Sequence, residues 1–357
     1  MKGVFFLPAA SRLPLRACSA LFACVAWMSM ACSAGHAAEK LKVVISSTSF
    51  AWLPLYVADG AGFFKNEGLE VEIVNVKDGA VVVTAILNGD ADMAGVGGNS
   101  VFASRAAGQP VRLLSPMNTE YTSTIFGRKD VFDKLGIGAK SSLEEKIRAL
   151  KGLKIGVISF NGGQHTMFRF LFAKYADGAE VDKVAEIVPI GDAANTLAAM
   201  HRGAIDVSAF SPPVAEKAVS DGYGVILVDT IGGDVLETRG MVFTAMAVTE
   251  SALRGRPGKL AAFVRGLNAA DLLIQKDIAA AGAAARVHLK AMDSDLYELG
   301  LRAMQKASPI DAETPIDGLK KYRDLLAFGG VAYAKGDFDF EAAVANEFVK
   351  DAIAGKK

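Results

Sequence analysis

The pattern of hydrophobic and polar residues between positions 41 and 74 predicts a strand, a loop, a helix and a second strand. Residues 41–45 form a short, β-branched, apolar run, which is typical of a strand buried on both faces. Four small hydroxyl residues (46–49) follow, and the helical pattern after them carries Pro54 near its first turn. Open α/β sheets bind ligands where the carboxyl end of a strand meets the start of a helix, so residues 46–49 are a first candidate for a site.

The same alternation of strands and helices continues to residue 228. In the first half, further strands are predicted at 69–74, 93–96, 111–114 and 122–126, with helices at 79–87 and 101–107. Five strands with intervening helices predict a doubly wound first lobe. A second α/β unit follows a capping box that begins at Ser142, with β-rich runs at 150–157, 185–190, 205–210 and 224–228.

The last third of the chain returns to the first lobe in this interpretation. Residues 241–248 are a β-rich run that predicts the return crossing, and residues 257–276 predict a long amphipathic helix. The rest of the tail is mostly helical in pattern and is expected to pack on the first lobe.

A short motif occurs once in each half of the chain. Alanine, three residues, glycine, two residues and aspartate occupy positions 85–92 and again 199–206, each time where a predicted helix leads into a strand. Glycine suits the C-terminal turn of a helix. The repeat supports two related lobes, and we interpret it as a helix stop followed by a strand start, not as a metal site.

The first 37 residues have the pattern of a secretory signal peptide. Basic but no acidic residues precede Glu39, residues 18–34 form an apolar core, and the small residues Gly35 and Ala37 lie three and one before a cleavage point near Ala37. The alternative is a retained membrane anchor, but the apolar run is short and has no charged stop after it. Cleavage would place the mature protein in the periplasm.

Cysteine and charge content support this assignment. Cys18, Cys24 and Cys32 all lie in the predicted signal peptide, so the mature chain has no cysteine and is stable without disulfides. Cys32 could carry a lipid, but residues 29–31 lack the aliphatic residue usual before such a cysteine, so soluble release is predicted. Cleavage removes three of the 39 basic residues and leaves 36 against 39 acidic ones, which gives no basic excess for nucleic acid.

Three short runs carry a family resemblance: 54–58 (PLYVA), 62–65 (GFFK) and 67–71 (EGLEV). They resemble the periplasmic substrate-binding proteins of ABC importers for nitrate, sulfonates, taurine and thiamine-precursor pyrimidines, and the resemblance extends from Leu41 to about Lys276. It implies an α/β, two-lobed periplasmic-binding-protein fold (type II), in which each lobe is a doubly wound mixed sheet flanked by helices and two crossings join the lobes. It also implies a monomer that delivers a small-molecule solute to an inner-membrane ABC permease with its ATPase.

The predicted domains follow from that resemblance and from the strand pattern. They are a signal peptide (1–37), the first part of the first lobe (38–124), the second lobe (125–240), and the return to the first lobe with the C-terminal helices (241–357).

Four small-residue loops are candidates for the ligand site, because each follows a predicted strand and precedes a helix: 46–49, 97–100, 159–164 and 211–212. Helix starts attract anions through unpaired N–H groups and the helix dipole. The alternative is ordinary N-capping; four such loops in a two-lobed fold favour a ligand cleft. The predicted ligand-binding residues are Ser47, Thr48, Trp52, Gly98, Asn99, Ser100, Asn161, Gly163, Gln164 and Ser211.

Several other side chains have two interpretations each. Phe50 and Trp52 could stack on a flat solute; Phe50 is expected in the core and Trp52 partly exposed. His165 could contact a polar group of the solute, but it is expected to cap a helix or face solvent. Arg128 and Arg239 flank the crossings, where each could clamp an acidic solute or lie on the surface.

No catalytic residue, metal ligand or cofactor is predicted. The resemblance extends to a sulfinate desulfinase and a pyrimidine synthase that depend on cysteines, which the mature chain lacks. The G-x-S-x-G motif is absent, and His165, His201 and His288 have no paired metal-ligand spacing. The leading prediction is a binding protein for a small anionic or polar organic solute: a sulfonate, nitrate, an aromatic acid or a pyrimidine. The alternatives are a sensor subunit and a cysteine-independent enzyme on the same fold.

Overall fold

The computed structural model describes Met1, Gly3, residues 38–76 and residues 81–355. Ala38–Lys357 forms one compact unit, distinct from Met1–Ala37. The predicted signal-peptide core, the cleavage point near Ala37 and the three cysteines lie outside the described residues.

Within the described residues, ten strands form two five-stranded sheets. In chain order the strands are β1 (Glu39–Ile45), β2 (Leu69–Asn75), β3 (Met93–Gly97), β4 (Val111–Pro116), β5 (Thr124–Arg128), β6 (Lys154–Val157), β7 (Glu186–Pro189), β8 (Val207–Phe210), β9 (Gly224–Val228) and β10 (Thr244–Thr249). The first sheet has the order β2-β1-β3-β10-β4 and the second β7-β6-β8-β5-β9. The layers built around these sheets are called the first and the second lobe below.

Both sheets are mixed and share one arrangement. β1 is parallel to β2 and β3, and β6 is parallel to β7 and β8. β10 is antiparallel to β3 and β4, and β5 is antiparallel to β8 and β9. Each sheet therefore contains one reversed strand in the same place.

The sequence pattern assigned one of the reversed strands to the wrong lobe. Residues 122–126 were predicted to be its fifth strand, but β5 belongs to the second sheet, and β10 fills the corresponding place in the first. Both strands are apolar and almost entirely buried. Burial on both faces identifies a central strand but not the sheet that contains it.

The described part of the chain contains seventeen α-helices and four short 3-10 helices. In chain order the α-helices are α1 (Leu53–Gly60), α2 (Phe63–Asn66), α3 (Val81–Asn88), α4 (Gly98–Ala106), α5 (Lys129–Leu135), α6 (Leu143–Arg148), α7 (Gly163–Tyr175), α8 (Val181–Val184), α9 (Ala193–His201), α10 (Val214–Ser220), α11 (Glu250–Gly255), α12 (Pro257–Lys276), α13 (Ile278–Ala285), α14 (Ser294–Ala307), α15 (Ile316–Phe328), α16 (Phe340–Ala343) and α17 (Asn346–Ile353). The 3-10 helices are Phe50–Trp52, Leu236–Thr238, Arg286–His288 and Ala332–Ala334. Over the described residues, none of these helices is long and apolar enough to cross a membrane.

The C-terminal helices contact both lobes. α12 and α13 pack on α1, and α17 packs on α12, so this part of the tail covers the first lobe as expected. α15 instead packs between α4 of the first lobe and α7 of the second. Its buried residue Tyr322 shares one hydrophobic cluster with Phe102 of α4 and Phe168 of α7. The expectation that the whole tail packs on the first lobe is therefore wrong for α15.

The repeated motif has the same structural role in each lobe. Asp92 precedes β3, and its carboxylate accepts a hydrogen bond from the backbone N–H of Lys42 in β1 at 2.8 Å. Asp206 precedes β8, and its carboxylate accepts one from the N–H of Lys154 in β6 at 3.0 Å. The motif is thus a helix stop, followed by an aspartate that pins β1 to β3 in the first sheet and β6 to β8 in the second.

Candidate functional site

A cavity of about 70 Å³ lies between the two sheets, at the ends of their strands. Its walls come from the carboxyl ends of β1, β3, β6 and β8 and from the starts of β5, β10, α4 and α7. The lining residues are Ser46, Ser47, Ser49, Ala51, Trp52, Val82, Gly95, Val96, Gly97, Asn99, Ser100, Ser123, Ile158, Ser159, Gly162, Gly163, Gln164, Phe210, Ser211, Phe243 and Thr244. None of these residues is charged, and none is histidine or cysteine. Among the described residues, the lining therefore offers a ligand neutral hydrogen-bonding groups, backbone dipoles and apolar contact.

Strand register explains which lining residues the sequence analysis missed. Thr244 at the start of β10 pairs with Gly97 at the end of β3, and Thr124 at the start of β5 pairs with Phe210 at the end of β8. The reversed strands β5 and β10 thus begin beside the carboxyl ends of the parallel strands. Ser123, Phe243 and Thr244 line the cavity for this reason. These three residues lie at the two predicted crossings between the lobes, and that position in the sequence was the signal that could have identified them.

Trp52 forms one wall of the cavity and is almost completely buried, with 2% of its surface exposed. The prediction that it would be partly exposed is wrong, because its six-membered ring packs against Gly95: a Cβ at that glycine would lie 2.8 Å from the ring. In the described part of the chain, the indole Nε1 has no hydrogen-bond partner. A buried N–H without a partner costs about 1–3 kcal/mol. Phe50 is fully buried against Tyr297, as the core interpretation predicted.

Two helices begin at the cavity without a side-chain cap. α4 follows Gly97 and α7 follows Gly162, and neither glycine can offer a side-chain oxygen to the first turn. At α4, the N–H of Gly98 donates to the carbonyl of Phe243 at 2.9 Å. Ordinary N-capping, the alternative interpretation, is instead found at the first loop, where the Ser49 hydroxyl accepts from the N–H of Ala51 at 3.3 Å. The positive ends of α4 and α7 are the electropositive features of this cavity.

Most of the predicted ligand-binding residues line the cavity, and three do not. Thr48 lies on an adjacent apolar groove. Asn161 lies on the outer side of its loop. Gly98 packs against Tyr322, whose ring would be 3.1 Å from an added Cβ. The predicted residues that line the cavity are Ser47, Trp52, Asn99, Ser100, Gly163, Gln164 and Ser211.

Two of these lining residues already have protein partners. The Ser211 hydroxyl shares a hydrogen bond of 3.0 Å with that of Thr122. The Asn99 amide donates to the carbonyl of Asn161 at 2.9 Å and accepts from the Tyr322 hydroxyl at 3.3 Å. Their side chains help to shape the cavity through these bonds.

The three singled-out cationic or titratable side chains lie outside the cavity. His165 is buried rather than solvent-facing, with 1% of its side chain exposed, and binds Asp182 at 2.7 Å. Burial lowers the pKa of His165, and the nearby Arg169 guanidinium lowers it further, against the opposing effect of Asp182. Arg128 binds Asp130 and Asp206 near the surface, at 2.7 and 3.5 Å. Neither Arg128 nor Arg239 lines the cavity, so neither clamps a ligand there.

Solved structures of low sequence identity share this architecture. A protein from Bordetella bronchiseptica RB50 superposes with a TM-score of 0.76 at 24% identity, covering 88% of this chain and 97% of that one. The nitrate-binding protein NrtA from Synechocystis PCC 6803 has a TM-score of 0.68 at 13% identity, with 88% of each chain covered. The alkanesulfonate-binding protein SsuA from Xanthomonas axonopodis pv. citri, bound to MOPS, has a TM-score of 0.65 at 17% identity, covering 85% and 97%. The predicted two-lobed periplasmic-binding-protein fold is confirmed.

Curated relatives match a shorter part of the chain. The protein YtlA of Bacillus subtilis (strain 168) is 32% identical over 117 residues, which are 31% of this chain and 35% of YtlA. The 4-amino-5-hydroxymethyl-2-methylpyrimidine phosphate synthase of Aspergillus parasiticus is 31% identical over 105 residues, 29% of this chain and 28% of the synthase. The chain thus spans about a third of the length of the curated relatives it matches. The family model of the NMT1-like family matches residues 39–288, which is more than half of the chain, and the chain therefore belongs to the NMT1-like family.

Proposed function

We propose that this chain is the periplasmic solute-binding component of an ABC import system. The observation that carries the proposal is the cavity between the lobes, where Trp52 and several hydroxyl and amide side chains meet two uncapped helix starts and where none of the described lining residues is charged. Such a site suits a hydrogen-bond acceptor, and its described lining has no carboxylate or imidazole that could serve as a general base for the hydroxyl groups. The nitrate- and alkanesulfonate-binding proteins that share the fold support the same role.

The enclosed part of the solute is a small group with at most one negative charge. A helix N-terminus carries roughly half a positive charge, so α4 and α7 together complement about one negative charge. A second charge would meet no cation among the lining residues. A cavity of about 70 Å³ encloses only a small group. A sulfonate, nitrate or carboxylate group fits this description, and so does the polar edge of a pyrimidine.

The solute is delivered to an inner-membrane permease with its ATPase in this proposal, and the protein acts as a secreted monomer. A sensor subunit would use the same site and differ only in its partner. An enzyme is the third possibility, because the synthase from Aspergillus parasiticus is a relative. The described lining residues include no cysteine, histidine or acidic side chain, which favours binding without chemistry.

Tryptophan fluorescence tests the proposal directly. Trp27 and Trp52 are the two tryptophans of the chain, so a protein of residues 38–357 reports from the cavity wall alone. We expect one or more of nitrate, bicarbonate, taurine, alkyl and aryl sulfonates, aromatic carboxylates and pyrimidines to change its emission. The same solute, at about a hundred times its Kd, should stabilise the fold by about 2.7 kcal/mol in thermal unfolding. Silence across this panel in both assays would refute the proposed solute class.

A matched pair of serine variants separates binding from folding. Ser123 and Ser115 are both fully buried, but Ser123 lines the cavity and Ser115 does not. Ser123→Ala should weaken solute binding by roughly five- to tenfold, which corresponds to about 1 kcal/mol for one hydrogen bond. Ser115→Ala should leave affinity unchanged. Product formation from any bound solute would overturn the binding role and support the enzyme.

A further inference from the structure

One hydrogen bond joins the lobes at the rim of the cavity. Asn99 Nδ2, at the start of α4 in the first lobe, donates to the backbone carbonyl of Asn161 at 2.9 Å. Asn161 lies in the loop that precedes α7 in the second lobe, just before the cavity residues Gly162 and Gly163. The position of that carbonyl therefore affects both the contact between the lobes and the shape of the cavity.

Asn161 has an unusual backbone conformation. Its φ is 59°, in the left-handed region, which asparagine adopts more readily than most residues with a side chain. Two hydrogen bonds hold it there. Its N–H donates to His165 Nδ1 at 3.0 Å, and its side-chain Oδ1 accepts from Arg169 Nη1 at 2.9 Å.

Asp182 completes a ring of hydrogen bonds around Asn161. Because Nδ1 of His165 accepts, the ring proton is on Nε2, which donates to one Asp182 oxygen at 2.7 Å. Arg169 Nε donates to the other oxygen at 2.6 Å. His165 is buried, so the imidazole is fixed in the tautomer that Asn161 requires.

The partner amide is also oriented. The hydroxyl of Tyr322, fully buried on α15, donates to Asn99 Oδ1 at 3.3 Å. This bond distinguishes the two ends of the amide and directs Nδ2 towards Asn161. Both sides of the contact are thus set by residues outside the cavity.

We propose that the hydrogen bond from Asn99 to Asn161 is a latch between the lobes, and that His165 is a positioning residue that sets the latch by fixing the backbone of Asn161. The proposal rests on the proposed function, because a latch acts where two lobes open and close around a solute. Solute binding in the cavity does not by itself require the latch, because neither His165 nor Tyr322 lines the cavity.

Interlobe distances test the latch without any solute. Residues 38–357 contain no cysteine, so Glu72→Cys on β2 and Glu186→Cys on β7 place two spin labels on exposed positions of the outer strands. Pulsed electron paramagnetic resonance then gives the distance distribution between the lobes. His165→Asn keeps an acceptor at the place of Nδ1, whereas His165→Gln keeps a donor towards Asp182 and loses that acceptor.

We expect His165→Asn to retain the parent distribution. His165→Gln should reduce the ratio of short to long distances roughly two- to tenfold, the range expected for one net hydrogen bond. Equal distributions in these two variants would overturn the positioning role, because a purely structural histidine would respond to both losses alike.

A second pair of variants covers the case in which the histidine variants do not fold. Tyr322→Phe removes only the hydroxyl that orients Asn99. Tyr297→Phe removes a matched hydroxyl, which donates to the carbonyl of Gly282 at 2.6 Å within the tail. Tyr322→Phe should lengthen the interlobe distance and Tyr297→Phe should not; no difference between them would refute the latch. If the protein binds a solute but the variants do not change the interlobe distance, the latch is refuted and the proposed function is not. If the variants change the distance but the protein binds no solute, the proposed function is refuted and the latch is not.

Discussion

A buried carboxyl group on α12 makes the stability of this protein depend on pH in a predictable direction. Asp271 is completely buried, and in the described part of the chain neither of its carboxyl oxygens has a hydrogen-bond partner. Neighbours on the same helical face bind the loop after α14: Asn268 accepts from the N–H of Ala312 at 3.3 Å, and Gln275 donates to the carbonyl of Ser308 at 3.2 Å. Asp271 therefore faces that loop, which also contains Asp311.

Burial raises the pKa of Asp271 well above its ordinary value, and the charge of Asp311 raises it further. In the window between the ordinary pKa, about 3.9, and the raised one, the folded protein keeps a proton that the unfolded chain releases. The free energy of unfolding then falls by about 1.4 kcal/mol for each pH unit within that window. This contribution is fully present below pH about 4 and is lost as the pH rises towards the raised pKa.

Asp271→Asn removes this dependence because an amide stays neutral at every pH. Urea unfolding of both proteins should be measured at a series of pH values. Above pH about 4, the free energy of unfolding of the variant should rise relative to that of the parent by about 1.4 kcal/mol per pH unit, until the raised pKa is reached. Asp90→Asn, at an exposed position, is the control for the loss of one negative charge from the surface. Parallel stability curves for Asp271→Asn and the parent would refute the assignment of a protonated, buried carboxyl.

Three further substitutions have defined outcomes. Gly163→Ala should weaken solute binding at least tenfold in a fluorescence titration, because its Cβ would lie 2.7 Å from the ring of Phe243 in the other lobe and force the lobes apart; unchanged affinity would show that the ring moves freely. Ser142→Ala should lower the free energy of unfolding by about 1 kcal/mol in urea, since Ser142 and Glu145 form a complete capping box, and no loss would mean that water replaces the cap. Asp92→Ala should cost about 1.5–3 kcal/mol, the range for a hydrogen bond to a charged group, because it removes the carboxylate that accepts a backbone bond of 2.8 Å in the first sheet; a smaller loss by thermal unfolding would argue against its pinning role.

The sequence predicted the parallel strands of both lobes and the ends at which the cavity lies, because a β-branched run followed by small residues is a local signal. It did not place β5, whose apolar residues are equally compatible with either sheet. The residues that begin β5 and β10 were missed for the same reason, since their position at the cavity depends on strand direction. Trp52 was misjudged because its burial depends on Gly95, a residue distant in sequence. The bridging position of α15 likewise depends on contacts with α7 that no pattern within α15 encodes.

The reversed strand of each sheet also determines the order in which the halves of the protein can be completed. All strands of the second sheet lie between Thr124 and Val228, so that lobe can assemble once this continuous segment has been synthesised. The first sheet begins earlier but needs β10, which follows the whole second lobe. Until β10 arrives, β3 keeps one unpaired edge and β4 lacks its partner strand in the sheet, and unpaired strand edges promote aggregation. The lobe that is synthesised first is therefore finished last, and a pause in synthesis between Val228 and Thr244 would leave the nascent chain most exposed.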